Sequence, residues 1–392
     1  MVEEKKKIGL VTLYDENYGS ILQCFSTKHF LESLNLTCDV LCLVQDECLL
    51  RLEVLKRKLK TLLKIFCNLP FFKFIVKSKL HIIKSSLSKE TEKMMNSFVA
   101  DFIKPKEIEQ SLLNEKKWLD EYKCFVAGSD QIWNVGHLVK PFDFLQFAPP
   151  FKRRTLAVSF GISEIPLCNQ SELSAGLNGF DYVSVREETG MEIVKKYSGA
   201  KVCRLADPTL IYCADEWRSL AGNAAVPKQK YVLLHFLNAP NDVALNAIKW
   251  ISEGLNLSVI AVGYKHPVFK QLEKFTFMDG GPWEYISLID NADYILTDSF
   301  HSSLFSINLG KRFFVFHRNY SVLSQNSRIN DMLGRFKMQN RLIFDIDFLK
   351  NIYLDELPKD SVNILERERK VIRDYIRKSI LEDDISFLRG QE

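Results

Sequence analysis

The sequence predicts a two-domain α/β protein whose parallel sheets carry helices on both faces, and three observations support this prediction. The chain has 392 residues, which is long enough for two domains of ordinary size. Short apolar runs alternate with helical patterns over most of its length. A stretch of small and polar residues, 213–230, precedes a fresh apolar run and marks a linker between a domain at 1–212 and a second at 231–345.

Ten short apolar runs are the predicted strands of these sheets. In chain order they are IGLVTL (8–13), CDVLCLV (38–44), CFVAGS (124–129), TLAVSFG (155–161), YVSVR (182–186), KVCRLAD (201–207), YVLLHFL (231–237), LSVIAVGY (257–264), DYILTD (293–298) and RFFVFH (312–317). Helical patterns lie between most of them, as at 242–257. The last segment, 346–392, carries a long amphipathic pattern, so we expect a helix there that crosses back towards the first domain.

A basic segment at about 50–90 interrupts the alternation and predicts a helical insertion in the first domain. Within 51–89, Leu, Ile and Phe recur at helical intervals, Pro70 divides the pattern into two helices, and Glu53 is the only acidic residue. The basic residues are Arg51, Lys56, Arg57, Lys58, Lys60, Lys64, Lys73, Lys77, Lys79, Lys84 and Lys89. This composition suits an anionic membrane surface, and the alternative is a hairpin packed on the domain with its lysines in water.

The bulk composition indicates a reduced, cytoplasmic protein without a metal site. The net charge of +4 does not by itself indicate nucleic-acid binding, and the basic segment carries no recognised nucleic-acid motif. The nine cysteines form no CxxC pair and lie mostly in apolar runs, so we expect buried thiols rather than disulfides or zinc ligands. The first apolar run is too short for a signal peptide, and none is long enough to span a bilayer.

The stretch YILTDSFHSSLFSINLG, 294–310, is a candidate anion site. A buried strand ends there and a helix begins, and ligands of open α/β sheets bind at the carboxyl ends of the strands. The free N–H groups and the dipole of a helix start attract anions. His301 offers a hydrogen bond, a charge or a proton near neutral pH. The alternative is a simple helix cap with a structural histidine. Further donors are Ser299, Ser302 and Ser303.

Arg186 is a second candidate because it ends the apolar run YVSVR, where a charged side chain would emerge into a cleft. Its guanidinium group matches a phosphate or a carboxylate as a two-pronged donor. The alternative is a surface ion pair with Glu187 or Glu188.

Five segments, in this order, resemble the polysaccharide pyruvyl transferase family, and together they span nearly the whole chain. They are TLYDENYGSILQCFSTKHFLESL (12–34), FVAGSDQIWN (125–134), YVSVREETG (182–190), LADPTL (205–210) and ADYILTDSFHSSLFSINLGKRFFVF (292–316). The last departs from the family pattern Arg-Phe-His-Gly, because Ser299 stands where the family has Arg and Ser302 where it has Gly. Residues downstream that can supply the missing cation are Lys311, Arg312 and Arg318.

The resemblance implies a GT-B-like enzyme with two Rossmann-type domains facing across a cleft. Such an enzyme would transfer the pyruvyl group of phosphoenolpyruvate, its co-substrate, to a sugar as a ketal, with no cofactor and no metal. The expected donor-binding residues, mainly in the second domain, are Arg186, Ser299, His301, Ser302, Ser303 and Lys311. The expected acceptor-binding residues, in the first domain, are Asn17, Tyr18, Gly19, Ser129, Asp130 and Trp133.

The expected catalytic residues are His301, Arg186 and Asp130. His301 would act as the acid or clamp the phosphate, Arg186 would hold an anion, and Asp130 would be the base for the acceptor hydroxyl. Trp133 would stack on a sugar ring. The expected partners are a polyprenyl-diphosphate-linked glycan acceptor and, through 51–89, the inner face of the cytoplasmic membrane.

Two other functions stay open on the sequence. The first is a glycosyltransferase that uses a nucleotide sugar on the same scaffold, since a fold does not fix a function. The second is a non-catalytic, membrane-associated binding module that has lost its donor site.

Overall fold

A computed structural model of the chain describes residues 7–14, 17–44, 86–135, 139–222, 224–318, 326–350 and 357–384. The basic segment predicted to contact a membrane lies outside these residues except for its last few positions. Among the helices that are described, none is long and apolar enough to cross a membrane.

The N-terminal half contains a five-stranded parallel sheet. The strands of this half are β1 (Lys7–Val11), β2 (Thr37–Val44), β3 (Ser86–Leu87), β4 (Lys106–Glu109), β5 (Tyr122–Ala127), β6 (Arg153–Thr155), β7 (Tyr182–Val185) and β8 (Lys201–Arg204). Its helices are α1 (Tyr18–Ser33), α2 (Lys89–Phe98), α3 (Lys116–Asp120), α4 (Gln170–Leu177) and α5 (Glu188–Tyr197). The sheet has the order β4-β2-β1-β5-β6, and a parallel pair, β7 and β8, continues it through a bridge at Val158.

Strand β6 ends earlier than the apolar run 155–161 predicts. Ala157 has a φ of +46°, outside the extended region, so the regular ladder stops before it. The hydroxyl of Ser184 on β7 fills the gap, because its Oγ accepts from the Ala157 N–H at 3.1 Å and donates to the Thr155 carbonyl at 2.9 Å. The edge of the sheet therefore bends at the point where the turn after β5 lies beside it.

The C-terminal half contains a second five-stranded parallel sheet of order β12-β10-β9-β13-β14. The strands of this half are β9 (Tyr231–His235), β10 (Ser258–Val262), β11 (Tyr264–Lys265), β12 (Phe275–Met278), β13 (Tyr294–Thr297) and β14 (Phe313–Val315), of which β11 lies outside this sheet. Its helices are α6 (Ala214–Ala221), α7 (Asp242–Gly254), α8 (Pro282–Asn291), α9 (Phe300–Asn308), α10 (Asn326–Arg335), α11 (Ile346–Lys350) and α12 (Lys359–Tyr375).

Several contacts join the two halves. Strand β11 pairs antiparallel with β3, so the chain that returns from the basic segment is attached to the second half. The predicted linker, 213–230, contains helix α6. Arg218 on this helix forms an ion pair with Asp290 near the end of α8. Helix α12 continues as a π-helical turn and returns to the first half, where the Tyr375 hydroxyl donates to the Thr155 carbonyl at 3.0 Å.

Three apolar clusters form the core. The largest packs α1 and one face of the first sheet against α8, α9 and α12, so it extends across both halves. The second fills the opposite face of the first sheet, and the third fills the opposite face of the second sheet. Burial of apolar surface therefore fixes the two sheets relative to each other and brings the starts of α1 and α9 together.

Candidate active site

The starts of α1 and α9 meet at the boundary between the two sheets. A Cβ atom added to Gly19 would lie 2.0 Å from Nδ1 of His301, so only glycine leaves room for that imidazole. The neighbouring Tyr18 is buried in the same boundary, where its ring stacks on Tyr285 at 4.2 Å and its hydroxyl donates to the Gly280 carbonyl at 2.6 Å. Tyr18, an expected acceptor-binding residue, thus joins the two halves.

Arg186 lies at the end of β7 in a cage of three carboxylates. Its guanidinium pairs with Asp207 and lies 3.3 Å from both Asp130 and Glu187. The face of the guanidinium lies 4.4 Å from the ring centre of Phe300, in cation–π contact. The side chain is only 2% exposed. Burial opposes its charge, but the three carboxylates raise the pKa of Arg186 above its usual value.

The alternative of a surface ion pair therefore does not describe Arg186. Its pairing with the neighbouring Glu187 is buried, and Glu188 pairs with Arg204 instead. Glu187 also accepts a hydrogen bond from the Ser159 hydroxyl. The cage is thus built from the ends of several strands.

Asp207 links Arg186 to His301. Its Oδ2 pairs with the guanidinium and lies 3.3 Å from Nε2 of His301, while its Oδ1 accepts from the Thr209 N–H at 2.9 Å and hydroxyl at 2.8 Å. Burial opposes ionisation, but His301 and Arg186 lower the pKa of Asp207 well below its usual range. The sequence prediction did not include Asp207 among the site residues. The available signal was the LADPTL segment, in which a strand-like run ends in Asp-Pro.

Asp130 reaches the cage from the turn after β5, in an unusual backbone conformation. Its φ is +61° and its ψ is −172°, a region that is essentially reserved for glycine and costs about 1–3 kcal/mol. Hydrogen bonds hold the turn: the Asp130 carbonyl accepts from the Ser159 N–H at 2.9 Å, and the Ser129 hydroxyl donates to the Ala157 carbonyl at 2.7 Å. The strained turn places the Asp130 carboxylate beside Arg186.

The three serines at the start of α9 are buried and hydrogen-bonded inside the protein. Ser299 is the N-cap, and its hydroxyl accepts from the Ser302 N–H at 3.4 Å. The Ser302 hydroxyl lies 2.5 Å from Nδ1 of His235 and 2.7 Å from the Tyr285 hydroxyl. Ser303 donates back to the Ser299 carbonyl at 2.9 Å. These hydroxyls support the helix start that carries His301.

Of the downstream cations, the structure brings Arg318 to this edge of the sheet. Arg318 follows β14, and its Nε donates to the Asp298 carbonyl at 3.1 Å. Lys311 lies at the opposite end of α9, where it donates to the Asp290 carbonyl, and Arg312 lies near the ring of Tyr294.

Arg328 on α10 is a further cation that the sequence did not suggest. Its guanidinium lies 5.7 Å from the ring centre of Phe300, whose ring also contacts Arg186. Burial, with Arg186 and Arg318 nearby, lowers the pKa of Arg328 to about 10, so the group stays charged near neutral pH. No local sequence motif predicts a functional role for this arginine, because only the packing of α10 places it beside Arg186 and its carboxylates.

The remaining predicted residues of the first domain have structural partners. Asn17 caps α1, and its Oδ1 accepts from the Ser20 N–H at 3.0 Å. Trp133 is fully buried, stacks on Phe144 at 4.7 Å and donates from Nε1 to the Asp143 carbonyl at 2.9 Å. The indole therefore has no exposed face for a sugar in this structure.

The cage encloses a small cavity between Arg186, Asp207, Phe300 and Arg328. Its volume is about 20 Å³, which is room for about one water molecule. Among the described residues, no group of acidic, histidine or cysteine side chains is arranged to hold a metal ion. The cluster thus unites two guanidinium groups, three carboxylates and an imidazole in a space almost closed to solvent.

Solved structures with a similar fold are sugar-nucleotide enzymes. The structure of MnaA with UDP from S. aureus superimposes with a TM-score of 0.53, is 12% identical and covers 97% of each chain. The UDP-GlcNAc 2-epimerase of Methanocaldococcus jannaschii gives 0.50 at 14% identity, covering 95% of this chain and 99% of that one. At these identities the likeness concerns the fold alone. The protein has a GT-B-type fold with two Rossmann-like sheets, which confirms the predicted fold class.

The family follows from the sequence. The profile of the polysaccharide pyruvyl transferase family matches residues 17–320, which include every strand of both sheets except β1 and every segment of the cluster except α10. The chain therefore belongs to the polysaccharide pyruvyl transferase family, as its motifs predicted. No curated protein matches it significantly.

Proposed function

We propose that the protein transfers the pyruvyl group of phosphoenolpyruvate to two hydroxyls of one sugar, forming a cyclic ketal and releasing phosphate in the synthesis of a bacterial surface or capsular polysaccharide. The acceptor in this proposal is a galactose-type sugar on a polyprenyl diphosphate. The observation that carries the proposal is the linked cluster Arg186–Asp207–His301 between the two sheets of a member of this family.

The reaction needs one general acid, one general base and residues that bind the phosphate and the carboxylate of phosphoenolpyruvate. A proton adds to the methylene carbon of phosphoenolpyruvate and makes it a methyl group, and a sugar hydroxyl attacks the adjacent carbon. The second hydroxyl then closes the ring as phosphate leaves. One hydroxyl proton balances the new methyl proton, and the other leaves with phosphate.

His301 suits the proton transfer because both of its ring nitrogens have defined neighbours. Asp207 lies beside Nε2 and favours a proton there, as the carboxylate of a catalytic triad does. That leaves Nδ1, on the side of Gly19, to give or take the reacting proton. Asp130 stays our candidate for the base that activates the acceptor hydroxyl.

Positive charge for the donor comes from arginines rather than from Ser299. Arg186, Arg318 and Arg328 lie at this end of the sheets, so they supply the cations that the departure from Arg-Phe-His-Gly removes. The 20 Å³ cavity is too small for phosphoenolpyruvate. In our proposal the donor binds after α10 shifts away from Phe300 and Arg186 exchanges one carboxylate for the ligand.

The test is pyruvyl transfer by variants that separate catalysis from folding. Arg186→Ala is a poor choice, because it would remove the guanidinium partner that three buried carboxylates share, and breaking a buried ion pair costs about 3–5 kcal/mol. Arg186→Lys keeps the positive charge but loses the bidentate hydrogen bonding of the guanidinium group. We expect His301→Ala and Arg186→Lys to lower kcat/KM by about 100- to 10,000-fold. The matched control is His29→Ala, a histidine whose Nδ1 contacts Tyr212 away from the cluster.

The readout is mass spectrometry of a galactose-terminated glycolipid after incubation with phosphoenolpyruvate, together with phosphate release. Near-normal turnover by His301→Ala with unchanged stability would remove His301 from the mechanism. Thermal stabilisation by a nucleotide sugar but not by phosphoenolpyruvate would favour the glycosyltransferase alternative. Stabilisation by neither, with no product, would favour the binding module.

We also propose that the basic segment 51–89 holds the enzyme on an anionic membrane surface, where lipid-linked acceptors lie. The composition supports this, since each lysine near such a surface contributes about 1 kcal/mol. Changing the lysines of this segment to glutamate should abolish co-sedimentation with vesicles that contain anionic lipid. Equal sedimentation of both proteins would overturn the membrane role without affecting the proposed reaction.

A further inference from the structure

We infer that a second cavity, at the carboxyl edge of the first sheet, binds the neutral sugar units of a glycan. It lies between the ends of β1 and β2 and the loop 140–147, and its volume is about 680 Å³. That size is typical of ligand sites, which span about 300–1,000 Å³. The carboxyl ends of parallel strands are also where open α/β sheets bind ligands. None of the residues predicted from the sequence to bind the acceptor lines it.

The walls of the cavity combine apolar and amide groups. Phe142 and Phe147 stack on each other at 5.3 Å, and both line the cavity beside Tyr14. Asn and Gln side chains donate and accept hydrogen bonds, as sugar hydroxyls do, and here they are contributed by Asn114 and Gln146. Sugar rings have an apolar C–H face and a rim of hydroxyls, so this mixture of aromatic and amide groups matches them.

The charge of the cavity argues against a phosphate or a diphosphate. Among the described residues that line it, the charged ones are one lysine and one aspartate, Lys140 and Asp143, so these walls carry no excess of positive charge. Burial raises the pKa of Asp143 to about 6, which leaves it mostly ionised above neutral pH. A desolvated carboxylate accepts strong hydrogen bonds from hydroxyls but repels anions. A neutral sugar therefore fits better than a nucleotide phosphate.

The cavity shares a structural element with the catalytic cluster. Thr12 lines it and donates from its hydroxyl to the Ser129 carbonyl at 3.1 Å. Ile132 lines it from the same turn that carries Asp130 to Arg186. A sugar in the cavity would thus lie against the back of the turn that supplies the proposed base. That this sugar is the acceptor rests on the proposed function, whereas the binding of sugar does not.

The test is saturation-transfer NMR on the full-length protein with octyl β-galactoside, methyl β-galactoside and uridine as probes. We expect saturation on the pyranose protons. Phe142→Ala and Gln146→Ala should each weaken sugar binding at least tenfold and raise the acceptor KM by a similar factor. The control is Phe151→Ala, a phenylalanine of the same half that is 70% exposed and does not line the cavity. It should bind sugar as the unaltered protein does.

Each outcome separates the inference from the proposed function. Stabilisation by phosphoenolpyruvate should persist in all three variants, since none of these residues contacts the Arg186 cluster. Sugar binding through the cavity without any pyruvyl transfer would support the inference while the proposed function fails. Transfer with an acceptor KM and a sugar saturation signal that both cavity variants leave unchanged would overturn the inference alone. Saturation confined to the octyl chain or to uridine, or absent for every probe, would also overturn it.

Discussion

Gly19 is important because a residue with a side chain would not fit at its position. Its position in the first turn of α1 would tolerate alanine in an isolated helix, since alanine is the better helix former. Here, however, a Cβ atom would lie 2.0 Å from Nδ1 and 2.2 Å from Cγ of His301. We therefore expect Gly19→Ala to displace the imidazole and lower kcat/KM at least tenfold, as measured by steady-state pyruvyl transfer.

The control for this substitution is Gly254→Ala, also in a helix, where nothing lies within 4 Å of an added Cβ. It should keep full activity. Unchanged kcat/KM in Gly19→Ala would show that the position of His301 relative to α1 does not matter for the reaction.

Because His235 is buried, we expect the stability of the folded protein to depend on pH. Burial, with His266 and Arg318 nearby, lowers its pKa to about 3, so the folded protein holds it neutral while the unfolded chain protonates it below about pH 6.5. The unfolded state then binds more protons, and stability falls as the pH drops from about 6.5 towards 3. The loss is about 1.4 kcal/mol per pH unit.

Urea unfolding of the unaltered protein and of His235→Asn at pH 7, 6 and 5 measures this contribution. Asparagine keeps a polar group near the Ser302 hydroxyl but cannot take up the proton. The difference in unfolding free energy between the two proteins should shrink by about 2 kcal/mol between pH 7 and 5. Parallel pH curves would exclude His235 as the source.

Sequence patterns identified three residues of the cluster but not the ion pairs that these residues make. His301, Arg186 and Asp130 each follow an apolar run, and strand ends of parallel sheets meet at one edge. Their partners could not be derived this way. Asp207 is joined to Arg186 across 21 residues and to His301 across the domain boundary, and Arg328 arrives on a helix with no motif. Such contacts depend on tertiary packing, which local patterns do not encode.

At the scale of elements, the buried central strands and the apolar edge strand β14 were predictable, whereas the edge strands β4 and β12 were not. The runs at 8–13 and 231–237 contain central strands that are covered on both faces, so their sequences are almost entirely apolar. By contrast, β4 and β12 lie at sheet edges, and the sequence of β4, KEIE, is mostly polar. Its single buried residue, Ile108, gives too weak a periodic signal for a prediction.

Helix α12 should stabilise the whole protein, because it packs on the core shared by both halves. Ile372 is fully buried in that core, whereas Val362 on the same helix is 39% exposed. We expect Ile372→Ala to lower the unfolding free energy by about 2–5 kcal/mol. Val362→Ala should change it by about 0.5 kcal/mol or less. Equal effects of the two substitutions in urea unfolding would show that α12 does not dock as described.

At the scale of the molecule, the site exists only where the two halves touch. Gly19 and Arg186 come from the first half, and His301 and Arg328 from the second. The alternation of strands and helices predicted two sheets, but it contains no information on how they face each other. That arrangement depends on the shared apolar core and on a few polar contacts across the boundary.

The hydroxyl of Tyr18 is one of these contacts, and its removal tests how far the boundary depends on it. Tyr18→Phe keeps the stacking on Tyr285 but leaves the buried Gly280 carbonyl without that donor, a loss of about 1–3 kcal/mol. The matched control is Tyr231→Phe, which removes an equally buried bond to the Leu288 carbonyl within the second half.

Both substitutions should lower the melting temperature, but only Tyr18→Phe should speed amide hydrogen exchange at the starts of α1 and α9, because only its bond crosses the boundary. The same variant should lower kcat for pyruvyl transfer, since the distance between Gly19 and His301 depends on closure of the two halves. If exchange at these helix starts rises equally in both variants, the Tyr18 hydroxyl contributes to stability but does not hold the two halves in register.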